Sequence, residues 1–327
     1  MDFRFDSDQL ALQAAVRQFC ADQLPLSAVA EREGVPADSS IWQGFAHLGV
    51  LGMLGDEGAA IGAIEAAIVF EVLGTHLAPG PVLWSTIAAP YIDGADDGSV
   101  RVTGIEAAAT EPIVVPHAGE SAVLVLMRDD RLERINLADL GPAIPGASMD
   151  PLTPIVGYAA LPAGRVIGEA GDVERIRRLG RVLSAATLVG TAQGALDTAR
   201  DYALGREQFG RPIGSFQAVK HLLADMYVRV ELARSSAYAA AATLVDPRAG
   251  NANRSASAAK LLAGEAAIAN GRAAVQILGG MGFTWEMLPH YFLKRAWLLE
   301  NWFGTQAAHA RSLATAVEAD TEAMGAA

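Results

Sequence analysis

The stretch Arg206-Glu207-Gln208-Phe209-Gly210-Arg211-Pro212-Ile213-Gly214-Ser215-Phe216-Gln217 brings a guanidinium, an amide and an aromatic face together just before a long helical pattern. Arg206 offers a planar fork of donors suited to a phosphate, and Gln208 an amide that can pair with a polar edge. Phe209 offers a face on which an aromatic ring can rest. Such residues read as half of a dinucleotide site, or more blandly as a solvated cation beside a core phenylalanine.

A second group lies about 70 residues on, in Gln276-Ile277-Leu278-Gly279-Gly280-Met281-Gly282-Phe283. Three glycines strip side chains from a turn after a helix, which lets a ligand approach the backbone amides, while Gln276 extends from the last helical turn. A plain glycine cap is the alternative. The remaining candidates are weaker. Six scattered histidines, His221 and His290 among them, show no metal spacing. Trp285, Trp297 and Trp302 read as core, and Glu286 and Glu300 as helix-surface acids.

These residues need a frame, and the apolar periodicity supplies one. Leu10, Leu12, Val16 and Phe19, then Trp42, Phe45, Leu48 and Leu51, recur at helical spacing, with Asp6 or Ser7 able to cap the start. A glycine-rich break from Gly52 to Gly62 precedes a further helix through Leu73, which Pro79-Gly80-Pro81 stops. Between about residues 93 and 166 the texture changes to short β-prone runs, Val100-Thr103, Ile113-Val115, Ala122-Met127 and Leu132-Ile135, separated by turn residues. Long helices then return. Arg181 to Leu204 carries a small-residue face, Ser215 can cap a helix that runs to Val245, and Asp246-Pro247 ends it. Ala256 to Leu278 and Pro289 to Ala316 complete a predicted four-helix bundle, and 320–327 read as a frayed tail. The expected fold is mainly α with a small β-domain: 1–92 helical, 93–172 a shortened β-domain, 173–327 the bundle.

Composition narrows the functions. The chain has 327 residues and a net charge of −12, which argues against nucleic acid or an anionic membrane surface as partner. One cysteine, Cys20, excludes an intrachain disulfide and a cysteine-based zinc site. No apolar run is long enough to span a membrane, and no leader is visible, so a cytoplasmic location is expected.

Together the two motifs resemble those of the acyl-CoA dehydrogenase family. Its R-x-Q-F-G-x-x-I-x-x-x-Q and Q-x-x-G-G-x-G patterns stand intact at Arg206 to Gln217 and Gln276 to Gly282. Gly190 to Leu196, and Trp42, Leu48-Gly49, Leu51-Gly52 and Glu71 to Gly74, are also similar to the family's. The resemblance implies tetramers that bind FAD between subunits. It implies that Arg206, Gln208, Phe209, Gln217, Gln276, Gly279 and Gly280 hold the ADP part of a flavin whose ring lies in the neighbouring subunit, and that Thr305 lies near the flavin of its own subunit. Gln306 is a nearby substitute for a family glutamine. The implied reaction is α,β-dehydrogenation of an acyl-CoA thioester: a carboxylate removes the α-proton, the β-hydride passes to the flavin, and an electron-transfer flavoprotein or similar acceptor reoxidises it.

The chain departs from that pattern where the chemistry happens. The commonest position of the base corresponds to Phe303, which cannot take a proton. The position used by a minority of the family corresponds to Asp246, with Arg248 beside the acyl-CoA site, though Asp-Pro is also a common helix stop. In the β-region Thr110-Glu111-Pro112 repeats three letters of a flavin-contacting stretch without the Gly-Ser-Asp that should follow. Intact adenine-side motifs with an eroded ring side resemble the degenerate chain of heterotetrameric α2β2 sterol-type acyl-CoA dehydrogenases. A purely structural partner subunit and an acyl-CoA dehydrogenase-like flavin oxidase are the alternatives.

Overall fold

The computed structural model describes residues 5–55, 62–107 and 111–325. The first part is helical. Helix α1 (Ser7–Gln23) starts at Asp6, whose carboxylate accepts from the amides of Asp8 and Gln9 while Gln9 answers to the Asp6 amide. A 3-10 segment (Leu26–Arg32), α2 (Ser39–His47), α3 (Ala63–Thr75) and α4 (Val82–Ala88) follow. Helix α3 is buried on every side from Ala66 to Gly74, which explains why it shows little amphipathic pattern.

Two small sheets come next. Strands β1 (Val102–Glu106), β3 (Val123–Met127), β4 (Arg131–Asn136) and β7 (Arg165–Glu169) form one, in the order β1-β3-β4-β7, with β1 parallel to β3 and the rest antiparallel. Strands β2 (Ile113–Pro116), β6 (Ile155–Tyr158) and β5 (Ile144–Pro145) form the other. Val115, Leu124, Leu126, Ile135 and Tyr158 make a core of their own between the sheets. Glu111-Pro112 leads straight into β2, as a strand rather than a loop; Thr110 lies outside the described residues.

The C-terminal part is built from α5 (Ala170–Gly205), α6 (Gln217–Val245), α7 (Ala252–Leu278), α8 (Pro289–Glu300) and α9 (Gln306–Gly325). Helix α5 begins close to the expected residue 173, at a cap between Glu169 and Asp172. Three expectations are corrected here. Ser215 does not cap α6: its hydroxyl donates to the Pro212 carbonyl, and the chain enters α6 through a 3-10 turn. The helix expected from Pro289 to Ala316 is two helices, broken at 301–305 by consecutive left-handed residues, Phe303 at φ 56° and Gly304 at φ 102°. The second of them, α9, continues to Gly325 instead of fraying from 320.

The bundle is close-packed because its faces are small: Ala185, Ala192, Ala195, Ala233, Ala237, Ala259, Ala263 and Ala267 are all buried. Asn270 marks one level across it, where its side-chain amide donates to the carbonyls of Ala192 and Met226. From that level α5 runs on to Gly205, α6 back to Gln217 and α7 on to Leu278, so these three termini share one end of the bundle. The other directions lead to Gly180, Val245 and Lys260 at the opposite end.

Candidate functional site

Arg206, Gln208, Phe209, Gln217, Gln276, Gly279 and Gly280 all lie at the first of these ends, and all are exposed. Between α5 and α6, Glu207–Gln208 and Arg211–Pro212 pair as a two-residue hairpin whose corner is Phe209-Gly210, at φ 53° and 75°. Positive φ at both corner residues suits the twist of a tight hairpin, and the glycine takes it without strain. The turn lifts the Phe209 ring into solvent, 92% exposed, touching only Phe216 edge to face at 6.1 Å between centroids. Arg211 stacks over Phe216 instead, at 4.1 Å. The guanidinium of Arg206 and the side-chain amides of Gln217 and Gln276 have no hydrogen-bond or ion-pair partner among the described residues. Gln208 donates to the Glu207 carbonyl at 2.7 Å.

The glycine turn completes this surface. Gly279 ends α7 at φ 62°, and a Cβ built at Gly279 or Gly280 meets nothing within 4 Å. An uncommitted arginine suits a diphosphate, and an exposed aromatic face with open space above bare glycine backbone suits the flat base of a dinucleotide. The residues present therefore accommodate the ADP half of a flavin.

The Phe303 turn lies at the opposite end. Phe303 is 2% exposed; its ring lies on Gly180 and packs against Trp84 at 5.0 Å between centroids. Its left-handed backbone turns the side chain inward, where burial contributes about 2 kcal/mol. The turn is held by Lys260 from α7, whose buried ammonium donates to the carbonyls of Leu299 (2.9 Å), Glu300 (3.0 Å) and Gly304 (3.4 Å). Burial pushes that ammonium down to about 8. Burial likewise raises the Glu106 carboxyl, which stands 3.8 Å from Arg177 and beside the Phe303 amide. Thr305 lends its hydroxyl to the Ala308 amide as the cap of α9, and Glu300 takes the Gln306 amide at 2.7 Å. The Gln306 side chain lies against Gly264 on α7. Between α3, α4, α5 and α8 a cavity of about 40 Å³ remains, lined in part by Leu83, His117, Arg295 and Trp302. That is room for a water or two and too little for an acyl thioester.

Asp246 and Arg248 stand together at the end of α6. The Asp246 carboxylate accepts from the backbone amide of Arg248 (3.0 Å) and from its guanidinium (2.9 and 3.3 Å). Both side chains are exposed, and the bonds from Arg248 hold the Asp246 carboxyl below its ordinary range. This geometry favours the helix-stop reading over the basic one, because a carboxylate held low in solvent is a weak acceptor of a carbon-bound proton. Among the described residues no three His, Cys, Asp or Glu side chains group as a metal site. No helix among them is long and apolar enough to cross a membrane. Trp285, expected in the core, is instead 55% exposed.

Helical first part, paired small sheets and alanine-rich bundle, with an exposed arginine, aromatic face and bare glycine turn at one end, make an architecture that can seat a dinucleotide at the bundle end. Residues 6–94 match the acyl-CoA dehydrogenase N-terminal domain and residues 175–318 the acyl-CoA dehydrogenase C-terminal domain. The chain belongs to the acyl-CoA dehydrogenase family, and its cofactor is FAD. It is 30% identical to the acyl-CoA dehydrogenase IpdE2 of Mycobacterium tuberculosis over 272 residues, covering 79% of this chain and 80% of that protein. It is 33% identical to FadE34 of the same organism over 283 residues, 78% of this chain but only 39% of FadE34. Solved structures also share the fold. The ChsE4-ChsE5 complex from Mycobacterium tuberculosis superposes with a TM-score of 0.84 at 21% identity, over 97% of this chain and 99% of that one. A variant of the Tcur3481-Tcur3483 steroid ACAD gives 0.82 at 22% identity, over 96% and 99%.

Proposed function

We propose that this chain is one subunit of a heteromeric, FAD-dependent acyl-CoA dehydrogenase, and that it supplies the ADP side of a flavin site whose ring side belongs to a different chain. One observation carries the reading: the adenine-side residues and the Phe303–Thr305 turn occupy opposite ends of the bundle. From Gly180, under Phe303, to Arg206 the chain follows α5 for about 40 Å at its helical rise, farther than an extended dinucleotide reaches. A flavin seated on Arg206 and the glycine turn is therefore too short to reach the Phe303–Thr305 turn of the same chain, which supports a ring side supplied by another subunit.

Bound FAD supplies the hydride acceptor. Arg206 holds the diphosphate, Gln208, Gln217 and Gln276 meet polar edges, Phe209 covers the base, and the amides at Gly279 and Gly280 approach the cofactor unobstructed. This chain offers no base at Phe303 and a poor one at Asp246, so the proton-abstracting carboxylate is assigned to the partner, a second acyl-CoA dehydrogenase subunit in an α2β2 tetramer. An acyl-CoA of sterol origin is the proposed substrate class, in line with the steroid enzyme among the structural neighbours, and an electron-transfer flavoprotein or similar protein the proposed acceptor.

The test is to purify the chain alone and together with an acyl-CoA dehydrogenase encoded beside it, then measure bound flavin and acyl-CoA oxidation. The expected result is a heterotetramer with flavin and activity, and a lone chain with neither. A lone homotetramer carrying one FAD per subunit with full activity overturns the proposal.

A further inference from the structure

Two grips hold the glycine turn of the half-site, and they come from distant parts of the chain. The turn is seated on α7 at both Gly279, whose amide donates to Gln276, and Gly282, where a Cβ would stand 2.5 Å from the Val275 carbonyl, and Thr284 closes it by donating its amide and hydroxyl to the Met281 carbonyl at 3.0 and 2.8 Å. The side chains of the turn and of the residues after it offer little burial, since Met281, Phe283 and Trp285 are all exposed. An exposed loop of this kind is held by specific bonds or opens readily. The bonds are there. The Trp285 indole N–H donates to Glu33 Oε1 at 2.9 Å, and the Tyr291 hydroxyl donates to the same oxygen. Lys294 Nζ sits 3.7 Å over the Trp285 ring, and the His290 ring stacks on it at 4.8 Å.

We infer that Glu33, contributed by the N-terminal helical part, is a positioning residue for the adenine half-site, fixing the far end of the Gly279–Phe283 turn through Trp285 and Tyr291. Glu33 is itself a firm post: its amide donates to Ala30, and the next amide, Gly34, donates to Pro151 across to the sheet region. Two donors on one carboxylate oxygen are charge-assisted, and Tyr291, 1% exposed, loses its partner if the carboxylate is removed. Without this post the turn must be ordered when the dinucleotide binds, and the ordering cost comes out of affinity. The inference rests on the flavin-sharing reading above.

The test uses the flavin-bearing assembly, with FAD dissociation measured for Glu33→Ala, Glu33→Gln, Trp285→Phe and, as reference, Arg206→Ala. Glu33→Ala is expected to weaken FAD binding about tenfold, while Glu33→Gln, which keeps an acceptor oxygen, stays within about threefold of the parent. With FAD saturating, the turnover number of Glu33→Ala stays at the parent value, because only binding is changed. Trp285→Phe keeps the ring and loses one donor, so it is expected to fall between the two, and it replaces Glu33→Ala should that variant not fold. Equal losses in Glu33→Ala and Glu33→Gln, or parent-like binding in both Glu33→Ala and Trp285→Phe, overturn the inference. If Arg206→Ala weakens FAD binding in that last case, only the role of Glu33 fails. If Arg206→Ala also binds FAD like the parent, the adenine assignment fails and this inference falls with it.

Discussion

The ring of Phe303 packs on the backbone of Gly180: a Cβ at residue 180 would stand 2.3 Å from the ring, so the third turn of α5 and the break between α8 and α9 are in direct contact. Gly180→Ala therefore has no room without moving Phe303 or Trp84. Overpacking of this kind costs about 1–3 kcal/mol. Urea unfolding of the purified chain should show that loss, and Gly180→Ala combined with Phe303→Leu should recover part of it. Unchanged stability in Gly180→Ala would mean the contact is loose.

Arg206 is the uncommitted guanidinium of the half-site. Arg206→Ala should lower flavin retention in the assembly while leaving helical content intact, read by the flavin-to-protein absorbance ratio after gel filtration. A lost charge-assisted contact is worth about 1.5–3 kcal/mol, enough for a loss of tenfold or more in affinity. Retention equal to the parent's would show that the phosphates bind elsewhere.

Asp246 binds its own neighbour, so its removal should be felt at the helix end and not in the chemistry. Asp246→Asn, which still caps the Arg248 amide, should keep acyl-CoA oxidation by the assembly within about twofold. A fall of about a hundredfold or more, the scale of a lost general base, would assign Asp246 the proton transfer after all.

His309 is 2% exposed, and its Nε2 has no hydrogen-bond partner among the described residues. Burial, with Lys260 and Arg181 close by, pushes the imidazole from 6.5 down to about 4. Between those values the unfolded chain binds a proton that the folded chain refuses. Stability from this group is therefore whole above about pH 6.5 and lost as pH falls toward 4. His309→Gln should flatten the acid limb of a urea-midpoint profile measured from pH 7 to 4.5. A parent-like slope would mean that other groups govern the acid limb.

Much of the fold was legible in the sequence because it is written locally. The cap at Asp6, the stop at Asp246-Pro247, the glycine end of α7 and the β-prone runs each depend on residues a few positions apart. The structure departs from the local signals where tertiary contacts override them. The break at 301–305 has no proline to announce it; a lysine 40 or so positions earlier captures the carbonyls that would have continued the helix. Trp285 looked like core by residue type, yet its indole N–H is held at the surface by Glu33, 252 residues away. No local pattern could show that pair.

By itself the sequence determined the chemistry on offer: a guanidinium, amides, an aromatic face and bare glycine backbone in family order, and a phenylalanine where a base is expected. Those are properties of residue type and short spacing. The tertiary structure alone decided where they stand. Helix direction and the level set by Asn270 send Arg206, Gln217 and Gly279 to one end of the bundle, and Phe303, Thr305 and Asp246 to the other. Spacing along a chain says nothing about which ends meet until helices pack side by side, and that packing is what separates these two groups of residues by the length of the bundle.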